Sequence, residues 1–128
     1  MKTILIACAY PERAKIINQC LDQAGFAVQV VSSGATLLDA LERSTPDLVI
    51  IFGELTDVSR ITITRMLRAD PALDKTYIML LGDAHDERER LLGFEAGADL
   101  CLSGIIQPNV LVARVRAMLR RIPQAADV

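Results

Sequence analysis

The stretch Asp47-Leu48-Val49-Ile50-Ile51-Phe52 decides the fold of this 128-residue chain. Its five consecutive apolar residues predict a strand that is buried on both faces, as in a parallel sheet covered by helices on either side. Four shorter or similar apolar runs predict further strands, which extend over Thr3 to Cys8, Ala27 to Val31, Tyr77 to Leu81 and Leu100 to Leu102. The sequence therefore predicts five strands in one sheet.

Helical periodicity fills the segments between the predicted strands. The predicted helices extend from Pro11 to Gln23, from the Ser33-Gly34 pair onward, from about Ser59 to Arg68, from Ala84 to Ala96, and from Pro108 onward. The first repeats apolar residues at helical spacing from Ile16, and the fourth is expected to be apolar on the side of Leu91, Leu92 and Phe94. With right-handed crossovers, this alternation predicts an α/β fold with a doubly wound parallel sheet in the order 2-1-3-4-5.

Composition limits the classes of function. Hydrophobic residues make up 52% of the chain, enough for one core, so we predict a single domain over residues 1–121 and the start of a linker or tail over 122–128. The formal net charge of −2 and the sequence pI of about 5.3 argue against direct nucleic-acid binding by this domain. Three cysteines without paired spacing and no long apolar run favour a cytoplasmic protein that does not span a membrane.

The predicted topology also places a site. In an open doubly wound sheet, ligands bind outside the carboxyl ends of the strands where the strand order reverses, here between the first and third strands. The residues at that point are Cys8 and Ala9 after the first strand, and Phe52 at the end of the third. Any chemistry of this chain is therefore expected beside these three residues.

Several motifs together resemble the receiver domain of bacterial two-component response regulators, a flavodoxin-like (βα)5 domain. The resemblance covers about Lys2 to Arg121. Its carriers are Lys2-Thr3-Ile4-Leu5-Ile6, Pro11, Ala24-Gly25-Phe26, Thr45-Pro46-Asp47-Leu48-Val49-Ile50, Asp70-Pro71-Ala72-Leu73, Gly93-Phe94-Glu95-Ala96-Gly97-Ala98-Asp99 and Ala113-Arg114-Val115-Arg116-Ala117.

The resemblance implies a set of site residues, and this chain departs from each of them. Two acidic residues that hold Mg²⁺ in the family are Cys8 and Ala9 here, and the phosphate-accepting aspartate is Phe52. A hydroxyl residue after the fourth strand is Gly82. The lysine and the cis-proline after the fifth strand are Gly104 and Ile105.

These departures predict a pseudo-receiver without phosphorylation chemistry. A thiol and two apolar side chains do not suit Mg²⁺, which prefers oxygen ligands, and phenylalanine forms no acyl phosphate. We therefore expect no metal, no cofactor and no enzymatic activity. We also expect the Phe52 ring to fill the former acidic pocket and to become part of the core.

Function is then expected from a surface. The resemblance implies that the face made by helix four, strand five and helix five meets protein partners or a second copy of the chain. On that face we expect Arg90, Glu95, Leu100, Val110, Arg114 and Arg116. The resulting prediction is a phosphorylation-independent interaction or dimerisation module in bacterial signal transduction, which regulates a fused or separate output domain.

Two alternatives remain open at this stage. The first is a sensor of small apolar ligands or of oxidation at the remodelled pocket, with Cys8 and Cys101 close together at the carboxyl edge of the sheet. The second is a receiver that is phosphorylated at a substitute carboxylate on the same edge, the candidates being Glu54, Asp57, Asp83 and Asp99.

Overall fold

The computed structural model describes residues 1–82, 87–103 and 107–120 of the chain. Its strands are β1 (Thr3–Cys8), β2 (Ala27–Val31), β3 (Leu48–Phe52), β4 (Tyr77–Gly82) and β5 (Leu100–Ser103). All neighbouring strands pair in parallel, in the order β2-β1-β3-β4-β5. The predicted doubly wound sheet is confirmed, and the predicted bounds of the first three strands agree with the structure.

Five helices cover the two faces of the sheet. They are α1 (Lys15–Gln23), α2 (Gly34–Arg43), α3 (Arg60–Ala69), α4 (Glu87–Ala96) and α5 (Pro108–Leu119). The first predicted helix is divided, because Pro11–Ala14 forms a 3-10 turn before α1. Within the described ranges, no helix is long and apolar enough to cross a membrane.

The core consists of two layers, one on each face of the sheet. Alternate residues of β3 point to opposite faces, so that Leu48 and Ile50 join the layer beneath α1 and α5, while Val49 and Ile51 join the layer beneath α2 and α3. All four side chains are fully buried, and each burial contributes about 1.5–3 kcal/mol. β3 is thus fixed from both sides, and its last residue, Phe52, lies at the edge where the site was predicted.

The prediction that α4 has its apolar side at Leu91, Leu92 and Phe94 is wrong. Leu91 is 57% exposed and Phe94 is 47% exposed, whereas Gly93 and Ala96 are buried against the sheet. A Cβ atom on Gly93 would lie 2.8 Å from Cys101 Sγ and 2.9 Å from a Leu80 methyl carbon. The helix approaches the sheet so closely that only small side chains fit between them, and the large apolar residues therefore face outward. Ile16 of α1 is likewise 62% exposed.

Candidate functional site

Strand pairing brings three of the predicted site residues to one edge of the sheet. Cys8 pairs with Phe52 across β1 and β3, and Phe52 pairs with Leu81 across β3 and β4. Gly82 follows as the last residue of β4, and Ala9 follows β1. Of the remaining predicted positions, Gly104 and Ile105 lie outside the described residues.

Phe52 is half-buried at this edge. Its ring packs against the core layer beneath α1 and α5, in which its strand neighbours Cys8 and Leu81 are both 2% exposed. The expectation that the ring joins the core holds for its packing, although the ring keeps part of its surface in contact with solvent. An apolar side chain thus occupies the carboxyl end of β3.

Cys8 is the one polar side chain among the three residues at the ends of β1 and β3. Its thiol donates a hydrogen bond to the Tyr10 carbonyl oxygen at 3.2 Å. Burial raises the pKa of the Cys8 thiol, and the Tyr10 bond and the nearby Arg13 charge oppose this rise only in part. Cys8 is therefore a neutral thiol at neutral pH.

A magnesium ion does not fit this set of side chains. Cys8, Ala9 and Phe52 provide a protonated thiol and no oxygen atom, whereas Mg²⁺ requires oxygen ligands in near-octahedral geometry. In the described part of the chain, no group of three or more His, Cys, Asp or Glu side chains could hold a metal ion.

A side chain on Gly82 would be crowded at the end of β4. A Cβ atom there would lie 3.1 Å from the Gly53 nitrogen and 3.2 Å from the Gly53 Cα, both of which are backbone atoms. Gly53 is held in this place because its N–H donates to the Leu81 carbonyl at 2.7 Å, and its φ of 70° suits glycine. A hydroxyl residue at position 82 would therefore require the backbone after β3 to give by a few tenths of an ångström, and it would have to adopt the Gly82 φ of 155°, which residues with side chains rarely adopt.

The loop between β3 and α3 is fastened by its own carboxylates. Glu54 accepts a hydrogen bond from the Arg60 N–H at 2.8 Å and so caps the start of α3. Asp57 accepts from the Gly34 N–H at 2.9 Å and the Ala35 N–H at 3.0 Å, which caps the start of α2. Two helix starts therefore hold this loop from both sides.

Sequence reasoning allowed that a loop carboxylate such as Asp57 caps a helix, but it did not identify α2 as that helix. The signal available was a helix start with a small residue, Gly34, which leaves room for Val58 to pack closely against it. The two N–H donors also lower the pKa of the Asp57 carboxyl, with the Gly34 bond as the larger cause.

We expect Asp57→Asn to lower the urea midpoint of unfolding at pH 7, because a neutral amide is a weaker partner for the α2 N-terminus. The pKa of Asp57 is lowered in the folded state, so its contribution is present above the unfolded pKa and is lost as the pH falls through the folded pKa. The difference between the two proteins should therefore vanish in strong acid. Asp74→Asn, at an exposed carboxylate, is the control. A difference that persists unchanged at low pH would contradict this explanation.

An ion pair that sequence reasoning also missed joins α3 to α4 beside Gly82. Arg60 Nη2 lies 3.2 Å from Glu89 Oε2, and the two side chains are 13% and 43% exposed. Arg60 Nη1 would lie 3.8 Å from a Cβ atom on Gly82. The positive charge nearest to the end of β4 among the described contacts is thus already neutralised by Glu89.

The two cysteines proposed for a redox switch lie on opposite faces of the sheet. Cys8 belongs to the layer beneath α1 and α5, whereas Cys101 packs against the layer on the other face. Three strand spacings separate β1 from β5, which is about 14 Å. The prediction that Cys8 and Cys101 come close together is wrong, because strand alternation turned their side chains in opposite directions.

The substitute carboxylates do not share one edge as predicted. Glu54 and Asp57 lie near the carboxyl ends of the strands, but both are bound to backbone N–H groups. Asp99 precedes β5 and lies at the opposite edge, where it accepts hydrogen bonds from Arg68 and from the Ile78 N–H, each at 2.8 Å. Asp83 lies outside the described residues.

The predicted interface residues are only partly at the surface. Arg90, Glu95, Val110, Arg114 and Arg116 are exposed, and Val110 keeps 43% of its surface. Leu100, by contrast, is half-buried and packs against the core layer beneath α1 and α5. The first residue of β5 is therefore a packing residue rather than a contact residue.

Comparison with known proteins agrees with this fold. The model of the response regulator receiver domain family matches residues 4–116. The transcriptional regulatory protein CreB of Escherichia coli is 39% identical over 80% of this chain and 44% of its own length. The DNA-binding response regulator MtrA of Mycolicibacterium smegmatis is 36% identical over 92% of this chain and 50% of its own length.

A solved structure gives the same result. The response regulator DrrB, a Thermotoga maritima homologue of OmpR and PhoB, superposes with a TM-score of 0.83 at 29% identity, over 94% of this chain and 54% of its own. The chain thus spans about half the length of the curated relatives and of this structural neighbour.

These matches overturn the prediction about partners. That prediction assigned a protein partner or a second copy to the face of α4, β5 and α5, and it excluded nucleic-acid binding from the net charge. It is wrong, because the matched relatives include regulators named as DNA-binding proteins. The physical reason is that a net charge of −2 averages over the whole chain, and such an average says nothing about a local surface or about a further domain.

Proposed function

Because this chain belongs to the response regulator receiver domain family, we propose that it is a receiver domain that works without phosphorylation and regulates a DNA-binding output domain. The family is a set of signalling modules, and this chain is a receiver domain of a two-component response regulator. The proposal concerns how this receiver acts and what it regulates.

One observation carries the proposal. The end of β3, at the edge of the sheet where a receiver would hold its phosphate acceptor, is occupied by the half-buried ring of Phe52, packed against the layer that contains Cys8 and Leu81. A ring in apolar surroundings accepts no phosphoryl group, and the neighbouring side chains have no oxygen atoms for Mg²⁺.

The backbone around Phe52 supports the proposal that the receiver keeps a single conformation. A hydroxyl side chain at position 82 would be crowded against the Gly53 backbone, and the loop after β3 is bound to two helix starts through Glu54 and Asp57. A loop that the chain's own carboxylates hold in place needs no added phosphoryl group to order it. The domain would therefore present one conformation to its output domain at all times.

The DNA-binding output is proposed from the relatives. CreB is a transcriptional regulator, MtrA is a DNA-binding response regulator, and this chain matches about half of each. The other half of such a protein would supply the contact with DNA. In a complete protein of this kind, the receiver would control the position of that second half through a constant surface.

We expect no phosphorylation of this chain when it is incubated with a small phosphodonor and Mg²⁺, because neither an acceptor nor a metal site is present at the end of β3. Intact-mass measurement should show no increase equal to one phosphoryl group. A receiver domain that carries the aspartate, treated in parallel, is the positive control. A mass increase that disappears in Glu54→Gln/Asp57→Asn would establish a substitute acceptor and refute the proposal.

Incubation with the phosphodonor and Mg²⁺ also tests whether phosphorylation controls DNA binding. DNA binding by the complete protein should be equally strong with and without the phosphodonor, because the receiver has no second state to adopt. A change in affinity of tenfold or so, which corresponds to about 1.4 kcal/mol, would contradict phosphorylation-independent regulation.

A further inference from the structure

Charge is unevenly distributed along this chain. Residues 1–99 contain 15 acidic and 10 basic side chains. From Leu100 to Ala126 there is no aspartate and no glutamate, and the only charged residues are arginines at 114, 116, 120 and 121. The segment that contains the last helix, α5, is therefore basic, whereas residues 1–99 are acidic as a whole.

The arginines of this segment that the structure describes are exposed. Arg114, Arg116 and Arg120 all lie on the solvent side, opposite the buried stripe of Leu111, Val115 and Leu119. Arg116 and Arg120 are one helical turn apart, which is about 6 Å along the axis, and Arg114 borders the other side of the exposed surface.

These three arginines differ in their partners from three arginines of the helices α2 and α3. Arg43, Arg60 and Arg68 each form an ion pair with a carboxylate. Over the ranges that the structure describes, no carboxylate oxygen lies within 4.0 Å of Arg114, Arg116 or Arg120. Unpaired, exposed guanidinium groups on a helix without acidic residues suit an extended array of negative charges.

We propose that Arg114 and Arg116 of α5, together with Arg120 directly after it, contact the phosphate backbone of duplex DNA. This inference rests on the proposed function, because a DNA-binding domain in the same protein would raise the local concentration of DNA near α5. The charge distribution would turn α5 toward the DNA, because DNA repels the acidic remainder of the domain and attracts the arginines of α5. The contacts carry no base specificity, because they involve the backbone alone.

The test measures binding of this chain to a fluorescent DNA duplex by anisotropy over a range of salt concentrations. Each phosphate contact contributes about −0.9 to the slope of log K against log salt. We expect a slope of about −2.7 for the parent chain and about −0.9 for Arg116→Gln/Arg120→Gln. The control, Arg65→Gln/Lys75→Gln, removes the same charge from exposed positions on and after α3 and should keep the parent slope of about −2.7.

Three results would overturn the inference. One is equal loss of slope in the α5 variant and in the control, which would show a dependence on net charge alone. Another is the absence of measurable association at the lowest salt concentration. The third is equally strong competition by polyglutamate at the same charge concentration, which would indicate an acidic protein surface instead of DNA. Unchanged midpoints of thermal unfolding confirm that the variants are folded. A phosphorylated chain with the expected slopes would refute the proposed function and leave this inference standing.

Discussion

We expect Arg68→Met to lower the free energy of unfolding by about 3 kcal/mol, the largest effect of any exchange on the α3 surface. The Arg68 guanidinium donates to the carbonyl oxygens of Gly97, Leu73 and Thr76 at 3.0–3.1 Å. It also forms an ion pair with Asp99 at 2.8 Å. One side chain thus joins α3 to the segments before β4 and before β5.

Arg68→Met destabilises the protein because the oxygen atoms that accept hydrogen bonds from Arg68 remain in place without their donor. Methionine preserves most of the apolar contact along the arginine stem, including the close packing against Gly97, but it donates no hydrogen bond. Three carbonyls would then depend on water for partners, and the Asp99 carboxylate would lose its cationic partner while it keeps the hydrogen bond from the Ile78 N–H. Because the Arg68 side chain is 25% exposed, water reaches part of the site, and the estimate is set below the cost of breaking a fully buried pair.

Two further variants test this explanation, with the free energy of unfolding measured by urea denaturation. Arg68→Lys keeps the charge without the planar fork of donors and should still lose about 2 kcal/mol. Arg65→Met, at an exposed position of the same helix, should change stability by less than about 0.5 kcal/mol. Equal stabilities of the Arg68→Lys variant and the parent chain would show that charge alone accounts for the contribution.

Phe52→Asp, which places an aspartate at the end of β3, should reduce the free energy of unfolding by about 2–4 kcal/mol at pH 7 and should not produce phosphorylation. The substitution removes the ring from the core layer and puts a carboxylate beside Leu81 and Cys8 instead. The end of β1 supplies no side-chain oxygen for Mg²⁺ beside it, because the residues there are Cys8 and Ala9.

The pH dependence distinguishes lost packing from the cost of the charge. Apolar surroundings raise the pKa of a carboxyl group, so the charge penalty of Asp at position 52 is full at neutral pH and fades as the pH falls toward about 4. Phe52→Leu removes part of the ring without adding a charge and should lose about 1 kcal/mol at every pH. A stable Phe52→Asp variant that accepts a phosphoryl group would contradict both the packing argument and the proposed function.

The sequence predicted the sheet well because its strands are selected by local patterns. The bounds of β1, β2 and β3 agree with the prediction, since strands buried on both faces must be apolar along their whole length. The register that brings Cys8, Phe52 and Gly82 to one edge followed from the topology rule for doubly wound sheets. The sequence therefore predicted which strand ends lie side by side at this edge.

The sequence predicted less about which way side chains point. The outward position of Leu91 and Phe94 depends on how closely α4 approaches the sheet at Gly93, which no periodicity encodes. The separation of Cys8 from Cys101 depends on the faces of two different strands. In both cases, a pattern within one element was used to infer a distance between two elements.

By itself, the sequence determined the order of the strands and the absence of any carboxylate at Cys8, Ala9 and Phe52, because both depend on residue types at consecutive positions. Only the tertiary structure decided that Asp57 caps α2, that Arg60 pairs with Glu89, and that Arg68 joins three segments. These contacts link residues 23 to 31 positions apart in most cases. Hydrogen bonds require donors and acceptors within a few ångströms, and such proximity exists only once the helices have packed against the sheet.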